Sequence, residues 1–277
     1  MMPIVRTPIG QIETVTRGES GQLFVMVHAA GAGPHAFDRL THLLGTAQRQ
    51  FIAPARIGYG TTTLDADGDI VARNVALIEA LMADLASDDI VLFGHSMGGL
   101  ISLLTAMNCA GHRRQNIKAI ILYDPILVTL LRTVMDNERA ALEWDRGIVA
   151  SLKDRVTAGE PEDGVRTFIE AWSGQRWTDL PDPVRAQFVS LAGTLLEETS
   201  ATSYYQLDQE QLRSIDVPVL LLVGEQSPAM VHLMAKRAAE LIPYASVAFI
   251  EGADHMGPMN NPKLIVPAIE RYLERLS

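Results

Sequence analysis

The stretch Ile90-Val91-Leu92-Phe93-Gly94-His95-Ser96-Met97-Gly98-Gly99-Leu100-Ile101 decides how the chain is read. Its first four residues form an uninterrupted apolar run, the pattern of a strand buried on both faces. Residues 100–109 continue as an apolar helix. Between them stands G-x-S-x-G, with Gly94, Ser96 and Gly98 at the three fixed positions. A strand that turns straight into a helix leaves no room for bulk at its corner, so glycine suits positions 94 and 98. Ser96 is then held exposed at the carboxyl edge of a sheet, over a helix N-terminus. G-x-S-x-G on its own recurs by chance; the strand before it and the helix after it make Ser96 a candidate nucleophile. Residues 90–111 carry no Asp, Glu, Lys or Arg and are long enough to span a bilayer. The glycines, His95, Ser96 and Asn108 break that stretch, which reads as a buried strand and helix instead.

Working outward, strand-like and helix-like segments alternate. Residues 4–7 and 11–17 flank Pro8-Ile9-Gly10 and read as an antiparallel pair. Apolar strands follow at 23–28, 51–53, 90–93, 117–123, 217–223 and 246–250, separated by helical periodicity at 37–44, 70–85, 100–109, 228–241 and the C-terminus. This order predicts an α/β fold: a mostly parallel, twisted, eight-stranded sheet with helices on both faces. Pro267, five residues after Pro262, is expected to kink or start the last helix. Between residues 126 and 210 no strand is recognisable. Helical segments at 129–156, 163–172 and 183–199 predict a helical lid inserted after the sixth strand, leaving residues 1–125 and 211–277 as the core domain.

Composition bounds the partners. The chain has 277 residues with 33 acidic and 23 basic, a formal net charge of −10. That balance argues against nucleic acid or an anionic membrane surface, both of which select for excess Lys and Arg. Fifteen acidic and eight basic residues fall within 126–210, so the acidity belongs mostly to the inserted helices, read as solvation of their outer faces. Cys109 is the only cysteine, which excludes an internal disulfide and a multi-cysteine metal site. The opening MMPIVRTPIG lacks the apolar run of a signal peptide. A cytoplasmic protein acting on a small-molecule substrate is expected, with a homo-oligomer left open.

A serine hydroxyl needs a base to become a useful nucleophile. His255, in Glu251-Gly252-Ala253-Asp254-His255-Met256-Gly257-Pro258, follows the last strand, where a loop can reach back towards Ser96. The remaining histidines, His28, His35, His42, His95, His112 and His232, are scattered and form no metal-binding motif.

Together these residues resemble the α/β-hydrolase family over nearly the whole chain. His28-Ala29-Ala30-Gly31-Ala32-Gly33 is similar to that family's His-Gly loop, with Ala29 where glycine is usual. Pro54-Ala55-Arg56-Ile57-Gly58-Tyr59-Gly60 is similar to its Pro-x-x-x-Gly-x-Gly turn, and residues 94–98 to its nucleophile elbow. The resemblance implies Ser96 as nucleophile, His255 as general base, and an oxyanion hole from the backbone N–H groups of Met97 and Ala30. It implies no cofactor and no metal. Many relatives carry the triad acid three residues after the glycine ending the seventh strand; here that glycine is Gly224 and the position is Ser227. The order Ser96, Asp124, His255 favours Asp124, in Leu122-Tyr123-Asp124-Pro125, with Glu225 and Asp254 as alternatives.

All three tryptophans, Trp144, Trp172 and Trp177, lie in the insertion. They are candidates for an apolar pocket, together with Phe37, His95 and Met256, which flank the motifs. No cluster of Lys or Arg surrounds the motifs, so an uncharged, largely apolar ester or lactone is expected. The alternatives are carbon–carbon bond hydrolysis by the same triad and a non-catalytic ligand receptor. Epoxide hydrolysis and dehalogenation are disfavoured, because the family's versions need Asp where Ser96 stands.

Overall fold

The structure, a computed structural model, describes residues 2–85, 87–109 and 116–276. Eight strands form one sheet: β1 (Ile4–Thr7), β2 (Gly10–Arg17), β3 (Gln22–Val27), β4 (Arg49–Pro54), β6 (Ile90–His95), β7 (Ile117–Tyr123), β8 (Val219–Gly224) and β9 (Ala245–Ile250). Their order across the sheet is β1-β2-β4-β3-β6-β7-β8-β9. The β1–β2 and β2–β4 pairs are antiparallel and every pair from β4–β3 onward is parallel. A ninth strand, β5 (Thr63–Leu64), pairs with β2. At two residues it is too short for periodicity to reveal.

Alternation along the central strands explains the layering. Val25, Leu92, Leu122 and Leu221 point to one face, under the helices Ile70–Leu85, Met97–Asn108 and Ala229–Leu241. Phe24, Phe93, Ile121 and Leu222 point to the other, under Asp38–Leu44 and Pro262–Glu274. Both faces are covered, so the strands read as near-continuous apolar runs. Pro262 opens the last helix at a position where its missing N–H costs nothing, and Pro267 is accommodated inside it. Among the described residues no helix is long and apolar enough to cross a membrane.

Between β7 and β8 the chain is helical: Asp136–Thr157, Pro161–Ser173, Asp182–Ser190, Ala192–Tyr204 and Gln209–Arg213. Two departures from the periodicity have local causes. The first helix begins at Asp136 rather than near Thr129, with Asp136 and Glu138 in a first turn that favours negative charge. The helix expected over 183–199 is two, parting at Leu191 just before Gly193, a poor helix residue.

Two buried carboxylates tie this insertion to the sheet domain. Glu138 accepts from the Arg237 guanidinium and from the Arg132 N–H at 2.6 Å. Glu198 pairs with Arg56, both side chains fully buried, and accepts from the Tyr59 hydroxyl at 2.7 Å. Arg56 also donates from Nε to the His28 carbonyl at 3.0 Å. Burial pushes the Glu198 carboxyl above the usual range, and Arg56 opposes that.

Removing one partner of a buried pair strands the other charge. Glu198→Ala is expected to destabilise the fold by about 3–5 kcal/mol, read from the urea midpoint at constant slope. The double substitution Arg56→Met/Glu198→Leu should recover much of that loss, because it leaves no buried charge unpaired.

Candidate active site

The turn from β6 into the helix Met97–Asn108 is fixed by close backbone approach. A Cβ on Gly98 would lie 2.0 Å from the Val27 carbonyl oxygen, and one on Gly94 2.4 Å from that of Gly98. Only glycine fits either place. Ser96, at the apex, is held at φ +56° and ψ −122°, a region that side-chain-bearing residues rarely adopt. Its N–H donates to the Tyr123 carbonyl at 3.0 Å, and its carbonyl accepts from Gly99 at 2.9 Å and Ile126 at 3.2 Å.

His255 lies in the loop after β9 and shares a cavity of about 130 Å³ with Ser96. Its Nδ1–H donates to Asp124 Oδ2 at 2.9 Å. Asp124, fully buried at the end of β7, also has positive φ, +45°. Its Oδ1 accepts from the Gly224 N–H at 3.0 Å and its Oδ2 from the Ser227 hydroxyl at 2.6 Å. The two alternative acids turn elsewhere. Glu225 accepts from the Gly252 N–H at 2.9 Å, and Asp254 from the Met256 N–H at 2.9 Å. Ser227, the position at which the resemblance leads one to expect an acid, donates instead to Asp124 on the neighbouring strand. The sequence shows the substitution at 227 but not the partner of its hydroxyl.

Two buried side chains pin the backbone of the histidine loop. His95 donates from Nε2 to the His255 carbonyl at 2.8 Å, and the Tyr123 hydroxyl donates to the Asp254 carbonyl at 2.6 Å. Burial, reinforced by the nearby His255, holds His95 well below the usual imidazole range. Burial and then Asp124 push the Tyr123 hydroxyl up. Both side chains therefore keep the neutral form that donates these bonds.

The loop of residues 28–33 meets the elbow from the other side. Gly31 donates to the Tyr59 hydroxyl at 2.6 Å, and Ala32 to the Ala29 carbonyl at 3.2 Å. Ala30 lines the cavity. Met97 heads its helix, where the first N–H groups have no intrahelical acceptor.

The rest of the cavity wall is mainly apolar, with Phe168, Ile169, Trp172, Leu180 and Phe188 from the insertion and Met256 from the histidine loop. Ser173, Gln175 and Asn260 supply polar atoms, and among the described residues no Lys, Arg, Asp or Glu lines it. Of the six pocket candidates, Trp172 and Met256 are on the wall and four are not. Phe37 is in the core, edge-on to Phe93 at 5.5 Å. His95 sits behind His255, with ring centroids 5.1 Å apart. Trp144 lines a separate groove. Trp177 is buried beside Phe188 and donates from its indole to Glu162 at 3.1 Å. Among the described residues no three His, Cys, Asp or Glu side chains gather closely enough to hold a metal ion; His112 lies outside them.

A mostly parallel sheet with a serine on a strained strand–helix turn, facing a histidine on the loop after the last strand, defines the α/β-hydrolase class. Residues 24–268 match the model of the "Alpha/beta hydrolase family", and the chain belongs to that family. It is 25% identical over 206 residues to N-formylmaleamate deformylase of Pseudomonas putida, covering 74% of this chain and 67% of that protein. It is 26% identical over 215 residues to Lipase LipV of Mycobacterium tuberculosis, covering 69% and 80%. In fold it is similar to an esterase from Exiguobacterium antarcticum, with a TM-score of 0.77, 18% identity, and coverage of 99% of this chain and 100% of the other.

A buried imidazole N–H donated to a carboxylate is sheltered from solvent exchange. A downfield imidazole N–H proton signal is expected in solution NMR. It should vanish in Asp124→Asn and persist in Glu225→Gln.

Proposed function

We propose that this protein is a cofactor-free serine hydrolase that cleaves an ester or lactone of a small, largely apolar substrate through an acyl-enzyme. The observation that carries the reading is the convergence on one cavity of Ser96, on its elbow, and His255, whose Nδ1–H is engaged by buried Asp124. His255 takes the Ser96 proton at Nε2 as the hydroxyl attacks the carbonyl. Asp124 orients the imidazole and stabilises its charged form. The N–H groups of Met97 and Ala30 hold the oxyanion, each donor of this kind lowering the barrier by about 3–4 kcal/mol. The tetrahedral intermediate collapses, His255 protonates the leaving alkoxide, and the acyl group stays on Ser96. His255 then activates water to release the acid.

A second reading keeps the same residues but cleaves a carbon–carbon or carbon–nitrogen acyl bond; the deformylase relative favours it. The cavity wall argues for the ester. A maleamate carries a carboxylate, and no cationic side chain among the wall residues would meet it.

A fluorophosphonate probe should label Ser96, and Ser96→Ala should lose both label and hydrolysis of p-nitrophenyl esters. Asp124→Asn should lower kcat by about 10³–10⁴-fold, while Glu225→Gln stays near wild type. A folded protein whose Ser96 takes no label would overturn the hydrolase reading in favour of a ligand receptor. Assaying lactones and diketones beside the esters separates the bond types.

A further inference from the structure

Trp172, at the end of the helix Pro161–Ser173, lines two separate spaces. One is the cavity of about 130 Å³ that holds Ser96, where its ring centroid lies 4.9 Å from that of His255. The other is a groove of about 440 Å³ between the helix Asp136–Thr157 and the turn after β8. Ala141, Trp144, Pro228 and Met230 make much of that groove, and Asn137 and Gln226 are its polar members. Trp172 meets Trp144 edge-on at 5.3 Å, and Trp144 is itself part of the groove wall.

The volumes set a size limit. An apolar cavity of about 150 Å³ accommodates one benzene, so the catalytic cavity takes a group of about six carbons. The groove that shares the Trp172 ring offers more than three times that volume.

Resting on the serine hydrolase reading, we propose that Trp172 is a partition that sets the chain length of the acyl group, and that the groove behind it is a latent subsite for the far end of an uncharged alkyl chain. The occupant follows from the lining, which is predominantly apolar and among the described residues carries no charged side chain, and from the Trp172 ring being common to the walls of both spaces. Wild-type protein therefore prefers short acyl groups, and removing the indole joins the two spaces.

The test compares kcat/KM for methyl butanoate and methyl decanoate. Each methylene that gains burial is worth about fourfold, so Trp172→Ala should raise the decanoate-to-butanoate ratio by at least about tenfold over wild type. Trp172→Phe should raise it less. Mere disturbance of His255 would lower both substrates together and leave the ratio unmoved. Refilling the groove in Trp172→Ala/Ala141→Trp should return the ratio towards wild type. Affinities for hexanamide and dodecanamide, read by calorimetry, report the same limit whether or not an ester is turned over. An inactive protein whose Trp172→Ala variant gains affinity for dodecanamide would sink the hydrolase reading and leave the partition standing. An unchanged preference in both measurements, with Ser96 still labelled, would overturn the partition alone.

Discussion

The constraint on which the site depends is the approach of the helix Met97–Asn108 to the end of β3. With space for no Cβ between Gly98 and the Val27 carbonyl, the helix can start only where it does. That contact sets the elbow beside the loop of residues 28–33, so Ser96 and the Ala29–Ala30 segment line one cavity. The strain sits in two adjacent strand ends, at Ser96 and Asp124, both at positive φ. Such residues cost of order 1–3 kcal/mol each and persist only where their surroundings over-determine them. Here the Ser96 N–H and carbonyl and the Asp124 N–H are all hydrogen-bonded to neighbouring strands and helix.

The position of the acid follows from sheet register. In the parallel pairing of β7 with β8, Tyr123 stands opposite Leu222, which brings Asp124 level with the end of β8. From there the Gly224 N–H reaches one carboxylate oxygen and the Ser227 hydroxyl the other. A carboxylate on the end of β7 can thus use the support of the β8 turn without belonging to it. The Gly224 N–H, the Ser227 hydroxyl and His255 engage this fully buried carboxyl, and no Arg or Lys among the described residues is paired with it.

The local part of this was legible in the sequence. Glycine spacing, the apolar strand runs and a carboxyl side chain just past the end of β7 are written within a few residues of where they act. What depends on facing was not. Trp172 and Trp177 are only five residues apart, yet the helix stops at Ser173 and Gly174 takes a left-handed conformation. Helical phase is lost there, and Trp177 points into the insertion instead of the cavity. Trp144 lies on a helix whose periodicity shows an apolar face but not which neighbour that face meets. The acidic balance of the insertion misled in a similar way. Much of it forms exposed i,i+3 ion pairs, such as Asp163 with Arg166 and Asp182 with Arg185. Glu138, Asp145 and Glu198, however, are buried. Their partners Arg237, Ser203 and Arg56 stand 58 to 142 residues away in the chain, beyond any local pattern.

Those buried pairs constrain how a substrate enters. Lifting the insertion as a body would separate Glu198 from Arg56 and Glu138 from Arg237 at once. It would also release the Tyr59 hydroxyl, which accepts from Gly31 in the loop that borders Ser96. A few kcal/mol are enough to hold an open state to between about 0.1 and 10% of molecules, and an opening of that kind would disturb the site it exposed. Side-chain rotation needs no such rupture. Trp172 touches its neighbours through ring faces and edges, and turning one indole changes the volume open to Ser96 while both ion pairs stay closed. In this architecture the anchored insertion keeps the catalytic geometry, and a single aromatic ring governs the space.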